Sequence, residues 1–180
     1  MPSNAEPVLL PVLRLTAAMT FSLHEGYRPG CIGRIAELHG RYYHRHAGFG
    51  VYFEAKVARE LSAFCEGYMA GRDGLWLAIV DDAIEGSIAI DGSRAASDGA
   101  HLRWFIASDK LRDKGVGMAL LCSALALCRA RQYERVYLWT FEGLAAARHL
   151  YEKSGFALVH QQPGTQWGAP VNEQRFELRT

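Results

Sequence analysis

Residues 112–117 read Arg-Asp-Lys-Gly-Val-Gly, a string with the chemistry of an anion site. Two glycines let a bulky anion approach the backbone. Amides at the start of a following helix point outward unpaired, and the helix dipole favours negative charge there. Arg112 and Lys114 add formal positive charge beside those amides. The string is neither the Gly-x-x-x-x-Gly-Lys-Ser/Thr loop of nucleotide hydrolases nor the Gly-x-Gly-x-x-Gly dinucleotide fingerprint. An Arg/Gln-x-x-Gly-x-Gly string arises by chance in roughly one chain of this length in ten. Taken alone it also fits a glycine-softened turn before a core helix.

A second pattern adds weight. Ala147-Arg148-His149-Leu150-Tyr151 is followed by Gly155-Phe156. Spacings of three and four put Leu144, Ala147 and Tyr151 on one helix face. Ala147 is small enough for an extended ligand to lie close, and Tyr151 then presents a hydroxyl to that ligand. The competing reading is a core tyrosine with its hydroxyl at the edge.

Holding these motifs requires particular elements. The apolar run 101–107 reads as a strand before the basic turn. A helix from Gly115 to about Arg131 follows, with Val116, Leu120, Ala124 and Leu127 on one face. Earlier in the chain, Met19–His24 reads as a strand. Pro29 opens a helix through Ile32, Ile35, Ala36, Leu38 and His39 that gives way near Gly48-Phe49-Gly50. A second helix runs from about Phe53 to Met69, closed by Gly71 and Gly74. Trp76–Val80 and Gly86–Ile90 form a hairpin around Asp81-Asp82-Ala83. Later come a strand at Arg135–Thr140, a short helix at Leu144–Ser154, and final strands at Phe156–Gln161 and Gln174–Leu178. The order β-α-α-β-β-β-α-β-α-β-β predicts a mixed α+β sheet of about seven strands with helices on its faces. The crossover around the basic turn requires 101–107 and 135–140 to be parallel neighbours, joined right-handedly.

Length and charge narrow the class. The chain has 180 residues, with 20 Lys+Arg against 19 Asp+Glu. That suits one globular domain over 1–180, with 1–18 as an N-terminal extension. A net charge of +1 gives no reason to expect nucleic acid or an anionic membrane as partner. Cys31, Cys65, Cys122 and Cys128 contain no Cys-x-x-Cys pair and read as buried thiols of a reducing cytoplasm. The apolar stretch Val8–Leu13 is short, contains Pro11 and lacks a basic leader. It reads as a docking tail rather than a signal peptide or membrane span.

Together, in this order, the motifs resemble the GNAT superfamily of acyl-CoA N-acyltransferases over roughly residues 20–179. The likeness is closest to the acetyltransferase half of MarR–GNAT fusion proteins. It is carried by Leu102-Arg103, the Arg112-x-x-Gly-x-Gly turn, Leu138-Trp139-Thr140 and Leu144-x-x-Ala147-Arg148-x-x-Tyr151-x-x-x-Gly155-Phe156. Trp167-Gly168 and Gln174-x-Phe176-x-Leu178 also fit. The resemblance implies a cytoplasmic N-acetyltransferase with acetyl-CoA as cosubstrate and a small-molecule or peptide amine as acceptor. It implies no metal, and a homodimer stays open. By match, Arg112, Asp113, Lys114, Gly115, Val116, Gly117 and Met118 hold the coenzyme A pyrophosphate. Phe105, Ile106 and Ala107 pair with pantetheine where the parallel strands splay, Ala147 lies alongside, and Tyr151 is the general acid. The sequence departs from the family at Asp109, often proline, and at Asp113, often glycine. Leu144 or Phe141 stands where the family commonly has a helix asparagine.

The acceptor side is read from residue types. Glu54, at the opening of the second helix, is the candidate general base, weighed against a solvated helix-start glutamate. Tyr42, Tyr43, Phe49, Tyr52 and Trp167 are candidates for an aromatic acceptor pocket, with core packing as the alternative. The rival functional class is a non-catalytic acyl-CoA sensor. A groove plugged by Trp167 or the N-terminal tail would favour it; an open groove beside Tyr151 favours the enzyme.

Overall fold

The computed structural model describes residues 20–180; Val8–Leu13 and Met19 lie outside them. Among the described residues, seven strands form one sheet in the order β1-β2-β3-β4-β5-β7-β6. They are β1 (Ser22–Glu25), β2 (Gly74–Val80), β3 (Ala83–Asp91), β4 (Ala100–Ala107), β5 (Arg135–Phe141), β6 (Ala157–Gly164) and β7 (Val171–Arg179). Helices α1 (Cys31–Ala47) and α2 (Val51–Glu66) cover one face, and α3 (Val116–Ala130) and α4 (Ala145–Lys153) the other. Period-two alternation builds both cores. Leu75 and Leu77 of β2 pack beneath α1 and α2, while Trp76 and Ala78 join the core under α3. The mixed α+β architecture is the one the element order predicts.

Several boundaries differ from the sequence reading. The second helix ends at Glu66 with Gly67 as its cap, short of Met69. Gly74 does not close that helix; it begins β2, where a Cβ would overlap the Trp76 ring and press on Leu127 of α3. The sheet and α3 meet too closely there for a side chain. Asp81 (φ 46°) and Asp82 (φ 65°) alone make the β2–β3 turn, both left-handed as a type I′ hairpin requires. Ala83, expected in the turn, opens β3. β6 runs on to Gly164 through Pro163, tolerated on this edge strand, and pairs Gly164 with Val171, so β7 starts three residues before Gln174. Leu144 stands outside α4 with ψ 62° and packs with the α1/α2 core, so it does not share the face of Ala147 and Tyr151. Cys31 and Cys128 are buried, Cys65 is half-buried and Cys122 is exposed, so the thiols are not uniformly interior.

One irregularity shapes the centre of the sheet. Ala89 pairs with Arg103 but Ser87 with Ile106, so β4 carries one extra residue there. Trp104 sits in that bulge with φ 45°, rare for a bulky side chain. The Ser87 hydroxyl donates to the Trp104 carbonyl at 2.7 Å and holds the bulge. Ala100 and Leu102 pack under α3, and simple alternation would send Trp104 the same way. The bulge turns it to the α1/α2 core instead.

Candidate active site

β4 and β5 run parallel and pair only at Ala100 with Val136 and His101 with Tyr137. Beyond the Trp104 bulge no strand among the described residues pairs with β4 on its β5 side. A cavity of about 340 Å3 opens in that gap. Its lining comes from β4 and β5, from α1, α2 and α4, and from the β6–β7 connection. Phe105 lines it, while Ile106 and Ala107 continue the β4 edge whose other side pairs with β3.

The basic turn lies at the exit of β4. A short 3-10 turn at Asp109–Leu111 is followed by Asp113 (φ 58°) and Gly115 (φ 72°), both left-handed. A left-handed residue at 113 explains why glycine is common there in the family and why an aspartate, among the side chains that tolerate this region, replaces it. The first backbone bond of α3 runs from the Ala119 amide to the Gly115 carbonyl. The amides of Val116, Gly117 and Met118 are therefore left at the helix start without an intrahelical partner. Arg112 pairs with Asp109 at 2.8 Å, and Lys110 with buried Glu85 at 2.7 Å. Burial alone would raise the Glu85 carboxyl, but Lys110, Ser108 and Arg34 together hold it below the ordinary value. Gly117 faces α4: a Cβ there would stand 3.0 Å from Leu150 and 3.6 Å from Phe105.

Tyr151 belongs to the main core and also lines the cavity. Its ring centroid is 6.0 Å from those of Phe105, Phe156 and Phe176. Burial, followed by the neighbouring Tyr43, pushes its phenol well above the ordinary value, so it stays protonated. Ala147 packs beside it at the edge of the same core.

The acceptor candidates separate. Tyr43 and Trp167 line the cavity. Trp167 leans on Phe141, with ring centroids 5.5 Å apart, and forms part of the wall. Phe49 is fully interior against Tyr43, Phe53 and Phe141. Tyr42 stacks on His46 away from the cavity, and exposed Tyr52 lies against Gly168. Glu54 is exposed and lies over Gly40 of α1, so the structure does not bring it to the cavity.

The cavity also holds groups that sequence reasoning missed. Glu60 joins Lys56 and Arg103 in an ion cluster, and the Arg103 guanidinium lies 4.1 Å from the Trp104 ring centroid. His101 stacks on Tyr137 at 4.4 Å; burial, Arg103 and Arg175 push it down to about 3. His39 is buried on α1, and burial lowers it to about 4 despite a hydrogen bond from its Nδ1–H to the Ile35 carbonyl at 2.9 Å. The local signals were the i,i+4 pairs His39/Tyr43 and Lys56/Glu60. Nothing local links Glu60 to Arg103.

The sequence model of the acetyltransferase (GNAT) family matches residues 34–156, and the chain belongs to that family. Among curated proteins, none matches it. The fold is similar to an acetyltransferase from Streptococcus agalactiae, with 18% identity and a TM-score of 0.69 over 89% of this chain and 98% of that one. It is also similar to a GNAT-family acetyltransferase from Staphylococcus aureus, with 17% identity and a TM-score of 0.69 over 89% and 99% of the two chains. A GNAT-family acetyltransferase from Elizabethkingia anophelis with acetyl-CoA bound shares 12% identity and a TM-score of 0.59 over 89% and 98%. At these identities the likeness is one of fold. No helix among the described residues is long and apolar enough to cross a membrane.

Proposed function

We propose that the chain transfers an acetyl group from acetyl-CoA directly to the nitrogen of an amine, borne by a small molecule or a peptide. The observation that carries this reading is the parting of β4 and β5 after two residue pairs, with the basic turn at one end of the gap and Tyr151 facing it. The residues present fit the cosubstrate. The unpartnered amides at 116–118, with Arg112 and Lys114, would hold its pyrophosphate. The free edge of β4 at Phe105–Ala107 would take its pantetheine amides. When bound, acetyl-CoA supplies the thioester that the amine attacks.

Tyr151 holds a proton on its phenol oxygen across the physiological range and gives it to the departing sulfur. A backbone N–H on the unpaired side of β4 would favour negative charge on the carbonyl oxygen. No cysteine lines the cavity, and burial pushes Cys65 up to about 11 and Cys128 up to about 12. Those thiols are poor nucleophiles, which supports direct transfer without an acyl-enzyme. Within this reading, residues 1–180 form a single catalytic domain, with 1–18 as an N-terminal extension, of the kind found as the acetyltransferase half of MarR–GNAT fusions, working in the cytoplasm. Among the described residues Trp167 forms part of the wall and does not fill the cavity, which supports an enzyme over a sensor. The test is thiol release from acetyl-CoA across an amine panel, with calorimetric binding of acetyl-CoA alongside. Tight binding without transfer to any amine would favour the sensor.

A further inference from the structure

We propose that Nε2 of His39 accepts the proton that the acceptor amine loses as its nitrogen joins the acetyl carbon. This rests on the amine-acetylating reading above and adds the proton acceptor which that reading lacks.

The cavity lining limits the choice of proton acceptor. Three groups there are able to take a proton: Glu60, His101 and His39. Glu60 is committed on both oxygens, one to Lys56 and the other to Arg103. Both oxygens are turned to cationic donors, so neither is directed at an acceptor amine. His101 lies at the paired end of the β4–β5 gap, flat against Tyr137, with Arg103 and Arg175 opposing any positive charge on its ring. His39 is different. Its Nδ1 faces the Ile35 carbonyl at 2.9 Å, and a carbonyl only accepts, so Nδ1 carries the hydrogen. The neutral ring therefore leaves Nε2 bare. The bonded Nδ1 fixes the tautomer, so Nε2 is the acceptor of a ring that lines the cavity.

His39 shares the cavity with the proposed acid. Tyr43, one helical turn on, lies with its ring centroid 6.0 Å from that of His39. Tyr43 and Tyr151 both line the cavity. In the forward reaction the N–C bond forms, the C–S bond breaks, the sulfur takes the Tyr151 proton, and the nitrogen gives a proton to His39. Return of that proton from His39 to Tyr151, past the Tyr43 hydroxyl, restores the resting protein. Products are an amide and a free thiol, so protons balance.

Burial holds His39 down to about 4, so it stays neutral and receptive through the physiological range. Such a weak base does not strip a free ammonium. It takes the proton after attack, when bonding to the carbonyl carbon has made the nitrogen acidic. The charged or titratable groups facing the same cavity are Tyr43 on α1, Lys56 and Glu60 on α2, His101 and Arg103 on β4, and Tyr151 on α4. The acidic limb of kcat/KM should therefore fall at the pKa of the acceptor amine, not near an ordinary histidine value.

The experiment uses the full chain and the best amine from the panel. His39→Asn keeps a donor for the Ile35 carbonyl and loses Nε2. His39→Gln is the second variant, placing an amide near the Nε2 position that accepts a hydrogen bond but no proton. Both should fold by circular dichroism and bind acetyl-CoA as the parent does, with kcat lowered about 10²- to 10³-fold. Free imidazole should restore part of the rate in His39→Ala. Independently of turnover, 15N-imidazole NMR should show a neutral ring protonated at Nδ1 whose Nε2 resonance moves when the amine is added with coenzyme A. A parent that acetylates the amine while the folded variants keep kcat within threefold overturns the His39 assignment and leaves the function standing. A parent inert toward every amine overturns both.

Discussion

The basic turn and the acceptor cavity are built in opposite ways. The turn spans 109–118 in one continuous stretch, and what it offers is backbone: exposed amides, two left-handed residues and a helix start. The cavity draws side chains from five secondary-structure elements and one connection, and its ion cluster joins residues 43 apart in sequence. A site made of backbone tolerates change in its side chains, as Asp113 at a position often glycine illustrates. A site made of converging side chains is set by each one. On the proposed reading, the end that would hold the cofactor is a backbone site that a family can share, while the end that would hold the acceptor is particular to this chain.

That contrast has consequences of graded size. The largest concerns the cavity: Tyr151→Phe removes one hydroxyl and leaves the ring in its aromatic cluster. Turnover should fall by about 10²- to 10⁴-fold with acetyl-CoA affinity unchanged. Steady-state kinetics and calorimetry on one preparation read this, and an unchanged kcat returns Tyr151 to a purely structural role. Next is the turn. Gly117→Glu puts bulk against Leu150 and a negative charge among the unpartnered amides. Acetyl-CoA affinity should drop by about 100-fold or more. Equal affinity in a folded variant would remove the anion site from the turn.

Acid stability comes third and belongs to the cavity. His39 and His101 sit at about 4 and about 3, against 6.5 ordinarily. Below 6.5 the unfolded chain takes up protons that the native state refuses. The stability from these two neutral rings is complete above that pH and is lost as the pH falls toward 4. Urea unfolding at pH 7.5 and 5.5 should differ by about 3 kcal/mol, with His39→Asn showing a smaller difference. A pH-independent midpoint would mean that the rings are not held neutral. The smallest effect is at Gly115, whose φ of 72° strains any L side chain although a Cβ meets nothing within 4 Å. Gly115→Ala should cost about 1 kcal/mol in urea unfolding, through backbone conformation alone.

The same contrast governs what could be read in advance. Arg112, Lys114, Gly115 and Gly117 announce an anion site because strand, turn and helix start follow one another within a dozen residues. The helices and the hairpin were legible for the same reason, since their periodicities are local. Glu54 was a reasonable choice of base on the same local grounds, as a carboxylate opening a helix. The packing of α2 against α1 turns it onto Gly40 and out of the cavity. Gly74 read as a helix stop, until contact with α3 gave it a place in the sheet.

By itself, then, the sequence determined the element order, the parallel crossover and the basic turn, because each depends on neighbours in the chain. Only the tertiary structure decided where β4 leaves β5, since that depends on an extra residue at Trp104 and on a hydroxyl from Ser87 in the adjacent strand. It also decided which of many polar side chains face the gap. His39 becomes an acceptor by burial and by the carbonyl it faces, and Glu60 is tied up by an arginine from another element. Burial and long-range pairing are sums over the folded chain, and no window of sequence contains them.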